Sequence, residues 1–138
     1  MSVAENKAVV NRYFEEVHNQ RAVAVLDEIM AAKLLGPTRG VVTAFQTAFP
    51  DYHITITAHV AEEDLVATVW RTTGTHQGEW PSPLGPIAPT GKSISFTGTT
   101  TLRVADRRIL EVVGTNHDHL GILQQMGALP AGKPRPGA

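Results

Sequence analysis

Five consecutive residues, Gly114, Thr115, Asn116, His117 and Asp118, hold the densest chemistry of this chain, and His117 is the one fitted to move protons at neutral pH. An imidazole has an ordinary pKa near ~6.5 and gives or takes a proton without special help. Asp118 stands where a strand gives way to a helix. Its carboxylate there serves as an N-cap, accepting N–H groups of the first helical turn, or as a general acid/base, which needs a pKa raised by burial. A cap hydrogen bond opposes that rise, so capping is the expected role. Asp118 or Asn116 is placed to orient His117. Neighbouring strand side chains face opposite sides, so the sequence leaves the direction of His117 open. A catalytic His117 predicts a rate that titrates roughly at pH 6–7.

Two further positions carry polar groups into apolar rows. His76 shares strand parity with Val66, Thr68, Trp70 and Thr72. If that face lines a pocket, Trp70 and His76 line it, with His76 near the rim; the alternative is a hairpin-end histidine bonded to backbone. Thr100 lies in the row Ile94, Phe96, Gly98, Thr100, Leu102 and Val104. A buried hydroxyl costs stability unless bonded, so a neighbouring strand or a ligand must satisfy Thr100. The His117-Asp118-His119 triplet lacks the spacing of three or four converging ligands, and no metal is expected. No G-x-S-x-G motif is present, which argues against a serine nucleophile.

The elements that must position these groups follow from periodicity. Val10, Tyr13, Phe14 and Val17 make one helical face over residues 4–19, and Val25, Leu26, Ile29 and Met30 make a second. Pro37 to Gly40 opens a third helix with the stripe Val41, Val42, Phe45, Ala48 and Phe49. Alternation then takes over: Tyr52, Ile54, Ile56, Ala58 and Val60 are expected inward, with His53, Thr55, Thr57 and His59 outward. Strands follow at residues 65–75, 92–105 and 108–115, with a proline-rich loop at 78–91 and a tight turn at Asp106-Arg107. Helices first, then hairpin-linked strands, predict an α+β fold: three helices on a curved antiparallel sheet, a short C-terminal helix, and an apolar pocket between the layers. One domain is expected over residues 1–129, with 130–138 as a flexible tail.

Composition narrows the partners. A net charge of −1, with Lys and Arg scattered, gives no field for nucleic acid or an anionic membrane. The absence of cysteine removes disulfides and thiolate chemistry. No apolar run nears the ~20 residues that span a bilayer, and the N-terminus lacks a signal-peptide core, so a cytoplasmic protein is expected. His53, Thr55, Thr57, Ser95, Thr97, Thr99 and Thr101 form an uncharged outer sheet face that predicts a two-fold homodimer.

The C-terminal run RVADRRILEVVGTNHDHLGILQQMG resembles the signature of the SnoaL-like polyketide cyclase family, within the nuclear-transport-factor-2-like fold. NKAVVNRYFEEVHNQ, AFPDYHITI, GTHQGEW and APTGKSISFTG match in order and spacing. The resemblance implies a cystatin-like cone, cofactor-free acid/base chemistry on a polyketide-like or other apolar carbonyl compound, and a catalytic group just before the last helix. That place is filled by Gly114, Thr115, Asn116 and His117. The aspartate of the founding aldol cyclases aligns with Thr115 or Gly114, neither of which exchanges a proton near pH 7. His117, with Asp118 beside it, is the expected acid/base, with His76, Trp70, Thr100, Thr115 and Asn116 at the substrate. It also implies a short pocket strand between the second and third helices, which the run from Met30 to Gly36 lacks. A non-catalytic ligand-binding or dimerisation module, or an epoxide-opening or hydrolytic variant, stays open beside the cyclase or isomerase.

Overall fold

A computed structural model describes residues 2–130. Most of the tail expected to be flexible, 131–138, lies outside the described residues. A capping box starts α1 (Val3–Arg12): the Ser2 hydroxyl accepts the Glu5 N–H while the Glu5 carboxylate accepts the Ser2 N–H. The same helix runs on as a π-helix, Tyr13–Asn19, whose wider turn carries Phe14, Val17 and His18 into the interior. Arg21, at φ 62°, locks the end of that turn. Its guanidinium donates to the carbonyls of His18 and Asn19 behind it and of Pro50 and Tyr52 across from it.

The second helix is shorter than its periodicity predicts. A 3-10 turn (Val23–Val25) leads into α2 (Leu26–Ile29), and Met30 is already extended. Helix α3 (Ala32–Ala48) starts five residues before Pro37, correcting the expected start. Pro37 cannot donate to the carbonyl four residues earlier, but one missing bond near a helix start is tolerated when the flanking residues pack. The pocket strand that the resemblance implies between these helices is reduced to a single parallel bridge, Met30 to Ile109.

Strands β1 (His53–Glu62), β2 (Leu65–Thr75), β5 (Ser93–Ala105) and β6 (Arg108–His117) form an antiparallel sheet in the order β1-β2-β5-β6. The stretch expected to be loop instead contains a small hairpin, β3 (Trp80–Ser82) with β4 (Gly85–Ile87), and Trp80 is buried. A bulge at Thr57 overturns the expected alternation of β1. Beyond it Ala58 and Val60 face solvent, while His59 and Ala61 turn inward. One inserted residue reverses the side of all that follow. Asp106 and Arg107 both adopt positive φ, 51° and 62°, as a two-residue primed turn requires.

The core lies between the helices and the concave sheet face, where Val10, Phe14, Leu26 and Val42 meet Val66, Phe96, Leu102 and Ile109. Helix α4 (His119–Met126) closes one end with Ile122, Leu123 and Met126, while Leu120 is exposed. No helix among the described residues is long and apolar enough to cross a membrane.

Candidate functional site

A cavity of about 300 Å³ lies between the layers. Its helical wall is Tyr13, Phe14 and His18, with Met30, Leu34, Pro37, Thr38, Val41 and Phe45. The helical turns that replace the lost strand thus supply much of this wall, and Val41, half exposed, stands at the mouth. The sheet contributes Tyr52, Ile54, Trp70, Thr72, Phe96, Thr100, Leu102, Val112, Thr115 and His117. Among the described residues, no Asp, Glu, Lys or Arg lines it.

Strand register builds the polar end. Trp70, Gly98 and His117 are partners across β2, β5 and β6, and Thr68, Thr100 and Thr115 are the next row but one. Gly98 is what lets the indole lie across β5: a Cβ there would sit 2.3 Å from Trp70 Cζ2 and 2.4 Å from the Asn116 carbonyl. Thus placed, Trp70 Nε1 donates to Thr100 Oγ1 at 3.0 Å, and Thr100 Oγ1 meets Thr115 Oγ1 at 3.0 Å. Since the indole is donor only, the Thr100 oxygen accepts from it and keeps its own proton free for Thr115. Thr115 is exposed and can pass its proton to a ligand. The hydroxyl in the apolar row is therefore satisfied by a neighbouring strand, and its chain of bonds ends at the cavity.

His117 faces inward. Its ring sits among Phe45, Trp70 and Phe96, with centroids 5.7, 5.2 and 6.2 Å away. Neither ring nitrogen has a hydrogen-bond partner among the described residues. Burial first, and the nearby His119 second, push its pKa down to about 4. This corrects the expected titration near 6–7: desolvation disfavours the imidazolium. The result has the proton affinity of an ordinary carboxylate.

The remaining candidates separate. Asp118 is an N-cap, its Oδ1 accepting the Gly121 N–H at 2.9 Å, and it does not line the cavity. Gly121 belongs to that cap, because a Cβ there would lie 2.2 Å from the carboxylate. β6 runs through His117, so Asn116, paired with Thr99, points to the opposite face from His117. His76 is fully buried at the end of β2 and outside the cavity wall. Its Nδ1 accepts the Thr90 N–H, and its own backbone bonds Lys92 and Gly91. That is the hairpin-end reading. Arg103 pairs with Asp64 and Glu111, and none of the three lines the cavity.

Sequence reasoning missed the opposite wall. His18 Nδ1 and the Tyr52 hydroxyl are 2.9 Å apart, and the Tyr13 ring stands edge-on to His18 at 4.8 Å. Burial, with Arg21 adding, lowers the His18 pKa to about 4. Burial raises Tyr52 to about 12 and raises Tyr13 as well. The signal was present: His18 follows Phe14 by four, on the same stripe as Val10 and Val17. Reading the stripe as apolar hid it.

A cupped antiparallel sheet closed by helices over an apolar cavity defines a cone-shaped, small-molecule-sized container of the nuclear-transport-factor-2-like class. The chain belongs to the SnoaL-like polyketide cyclase family, whose sequence model matches residues 8–126. IdmH from Streptomyces antibioticus, provisionally a polyketide cyclase, is 26% identical with a TM-score of 0.71, covering 88% of this chain and 98% of its own. AclR from Streptomyces galilaeus, provisionally a hydroxylase, is 23% identical with a TM-score of 0.75 over 94% and 100% of the two chains. A SnoaL-like polyketide cyclase from Agrobacterium tumefaciens shares the fold at 14% identity, TM-score 0.71, over 92% and 100%. Among curated proteins, none matches the chain.

Proposed function

We propose that this chain is a cofactor-independent cyclase or isomerase acting on an apolar, polyketide-like carbonyl compound. His117 takes a proton from the carbon beside the carbonyl, and Thr115, backed by Thr100 and Trp70, donates to the enolate oxygen as charge develops there. The observation that carries this reading is His117 itself: a neutral ring with both nitrogens unengaged, facing the cavity beside a hydroxyl relay. A base with a pKa of about 4 is weak, so the substrate must bring an acidified C–H, as in a β-dicarbonyl or a benzylic ketone. The uncharged wall supports a neutral substrate and argues against an epoxide-opening Asp/Arg mechanism.

Deuterium uptake at C1 of 2-tetralone tests this directly. Wild type is expected to accelerate uptake, and His117→Ala to lose at least about a hundredfold, the usual worth of a positioned acid/base, with its circular dichroism unchanged. Uptake that survives in His117→Ala rejects the assignment. Binding of the ketone without any uptake in wild type favours the non-catalytic binding module, a reading supported by the lack of a carboxylate among the described residues of the wall.

The same reading includes a homodimer through the outer sheet face. His53, Thr55, Thr57, Ser95 and Thr97 are exposed there, and Thr99 and Thr101 half-buried. Light scattering at micromolar concentration should find a particle of twice the chain mass; a monomer rejects the pairing.

A further inference from the structure

The π-helical end of the cavity contains polar groups that the proton-transfer reading leaves unused. His18 is almost wholly buried, yet it contributes to the cavity wall. One ring nitrogen, Nδ1, is fixed by Tyr52 at 2.9 Å. The other, Nε2, has no hydrogen-bond partner among the described residues and is not among their sealed, unpartnered atoms. The Tyr13 hydroxyl likewise has no hydrogen-bond partner among the described residues, although its ring packs against both Phe14 and His18. Both groups therefore open onto the cavity, and a ligand that covered them without offering an oxygen would leave them buried and unpartnered, at a cost in binding. A ligand oxygen would offset that cost.

The tautomer follows from the partners. A phenol is a better proton donor than a neutral imidazole, so the stronger arrangement has Tyr52 Oη–H donating to His18 Nδ1. The ring proton then resides on Nε2, the nitrogen without a protein partner. Arg21 holds this arrangement from behind: it bonds the carbonyls of His18 and Tyr52 and lies 4.1 Å from the Tyr52 ring centroid. The π-turn between Tyr13 and Asn19 is thus pinned at its end, and such turns recur at functional sites.

We propose that His18 Nε2–H and the Tyr13 hydroxyl form a second oxygen-binding subsite, which takes a neutral carbonyl or hydroxyl group of the ligand at the end of the cavity opposite Thr115. This rests on the cavity being the substrate site, and it narrows the substrate class to compact apolar molecules bearing oxygen functions at two ends. Tyr52 is a positioning residue, acting through the tautomer of His18.

Tetralin, 2-tetralone and 6-hydroxy-2-tetralone, with no, one and two oxygens, test it by calorimetric binding to the whole chain. Wild type should gain affinity in two steps, the second about three- to tenfold, the worth of one or two neutral hydrogen bonds. Tyr13→Phe and His18→Phe, which keep an aromatic ring in place, should each remove one step and leave the other, while Thr115→Val removes the complementary step. Histidine ¹⁵N shifts supply a readout that needs no ligand: His18 should be the Nε2–H tautomer in wild type and a mixture in Tyr52→Phe. Equal affinity for the two ketones, an unchanged two-step gain in both Phe variants, no binding by any of the three compounds, or an Nδ1–H tautomer overturns the subsite. Deuterium uptake is scored separately: its loss with the two-step binding intact would reject the catalytic reading while the subsite stands.

Discussion

The two histidines of the cavity wall have pKa values pushed by burial to about the same place, near 4, and yet they are built differently. His18 is buried on a helix and tied through Nδ1 to Tyr52. His117 ends an edge strand, half-buried, touched by aromatic faces and free of hydrogen bonds among the described residues. An anchored ring has one tautomer and one direction, which suits a fixed donor. An unanchored neutral ring has a free lone pair, which suits a base. Equal proton affinity therefore does not mean equal role; the hydrogen-bond partner decides.

Three changes would break or sharpen that contrast. Gly98→Ala has the largest expected effect, because its methyl group overlaps the Trp70 indole and the Asn116 carbonyl. Overpacking of this kind costs about 1–3 kcal/mol, measurable by urea unfolding. The indole should leave Thr100, so 2-tetralone uptake should fall while the His18 ¹⁵N tautomer stays as it was. If Gly98→Ala is neutral in both stability and uptake, the register account of the His117 end is wrong.

Acid stability comes next. Both histidines have folded pKa values below the unfolded value of ~6.5. As pH falls the unfolded chain takes up protons first, so the two groups cost stability progressively from about pH 6.5 down to about pH 4, and no further below that. Melting temperature measured over that window should fall in wild type, and His18→Phe should flatten the slope by about one proton. A slope unchanged in His18→Phe would mean that His18 is not buried neutral. The smallest effect belongs to Asp118→Asn, which should keep both uptake and stability within about 0.5 kcal/mol, since Asn caps a helix about as well. A folded but inactive Asp118→Asn would return the proton transfer to the aspartate.

Much of the architecture was readable because it rests on local period and turn chemistry. The amphipathic start, the Asp106-Arg107 turn, the Asp118 cap and the inward row from Ile94 to Val104 all appear as the pattern predicts. The row also marked Thr100 as a hydroxyl needing a partner, and the parity of β2 placed Trp70 on the cavity face. What escaped depends on changes of register. Thr57 reverses the second half of β1, and the π-turn extends α1 with a different periodicity. Pro37 looked like a helix start because proline suits a first turn, but packing of Leu34 and Leu35 against the core carries α3 backward past it. His76 shared the right parity with Trp70, yet β2 ends beyond the cavity at that height. Parity fixes a side of a sheet and says nothing of how far along the strand a cavity extends.

The wall, which has no Asp, Glu, Lys or Arg among the described residues, has a consequence for the ligand's own titration. Such a space extracts compounds from water much as an immiscible organic solvent does, taking up the un-ionised form and refusing the salt. For a weakly acidic ligand, affinity should decline one decade per pH unit above that compound's own pKa, and the inflection should move with the compound and not with the protein. Added salt should leave the affinity of a neutral compound nearly untouched, because no ion pair with the wall is there to be screened.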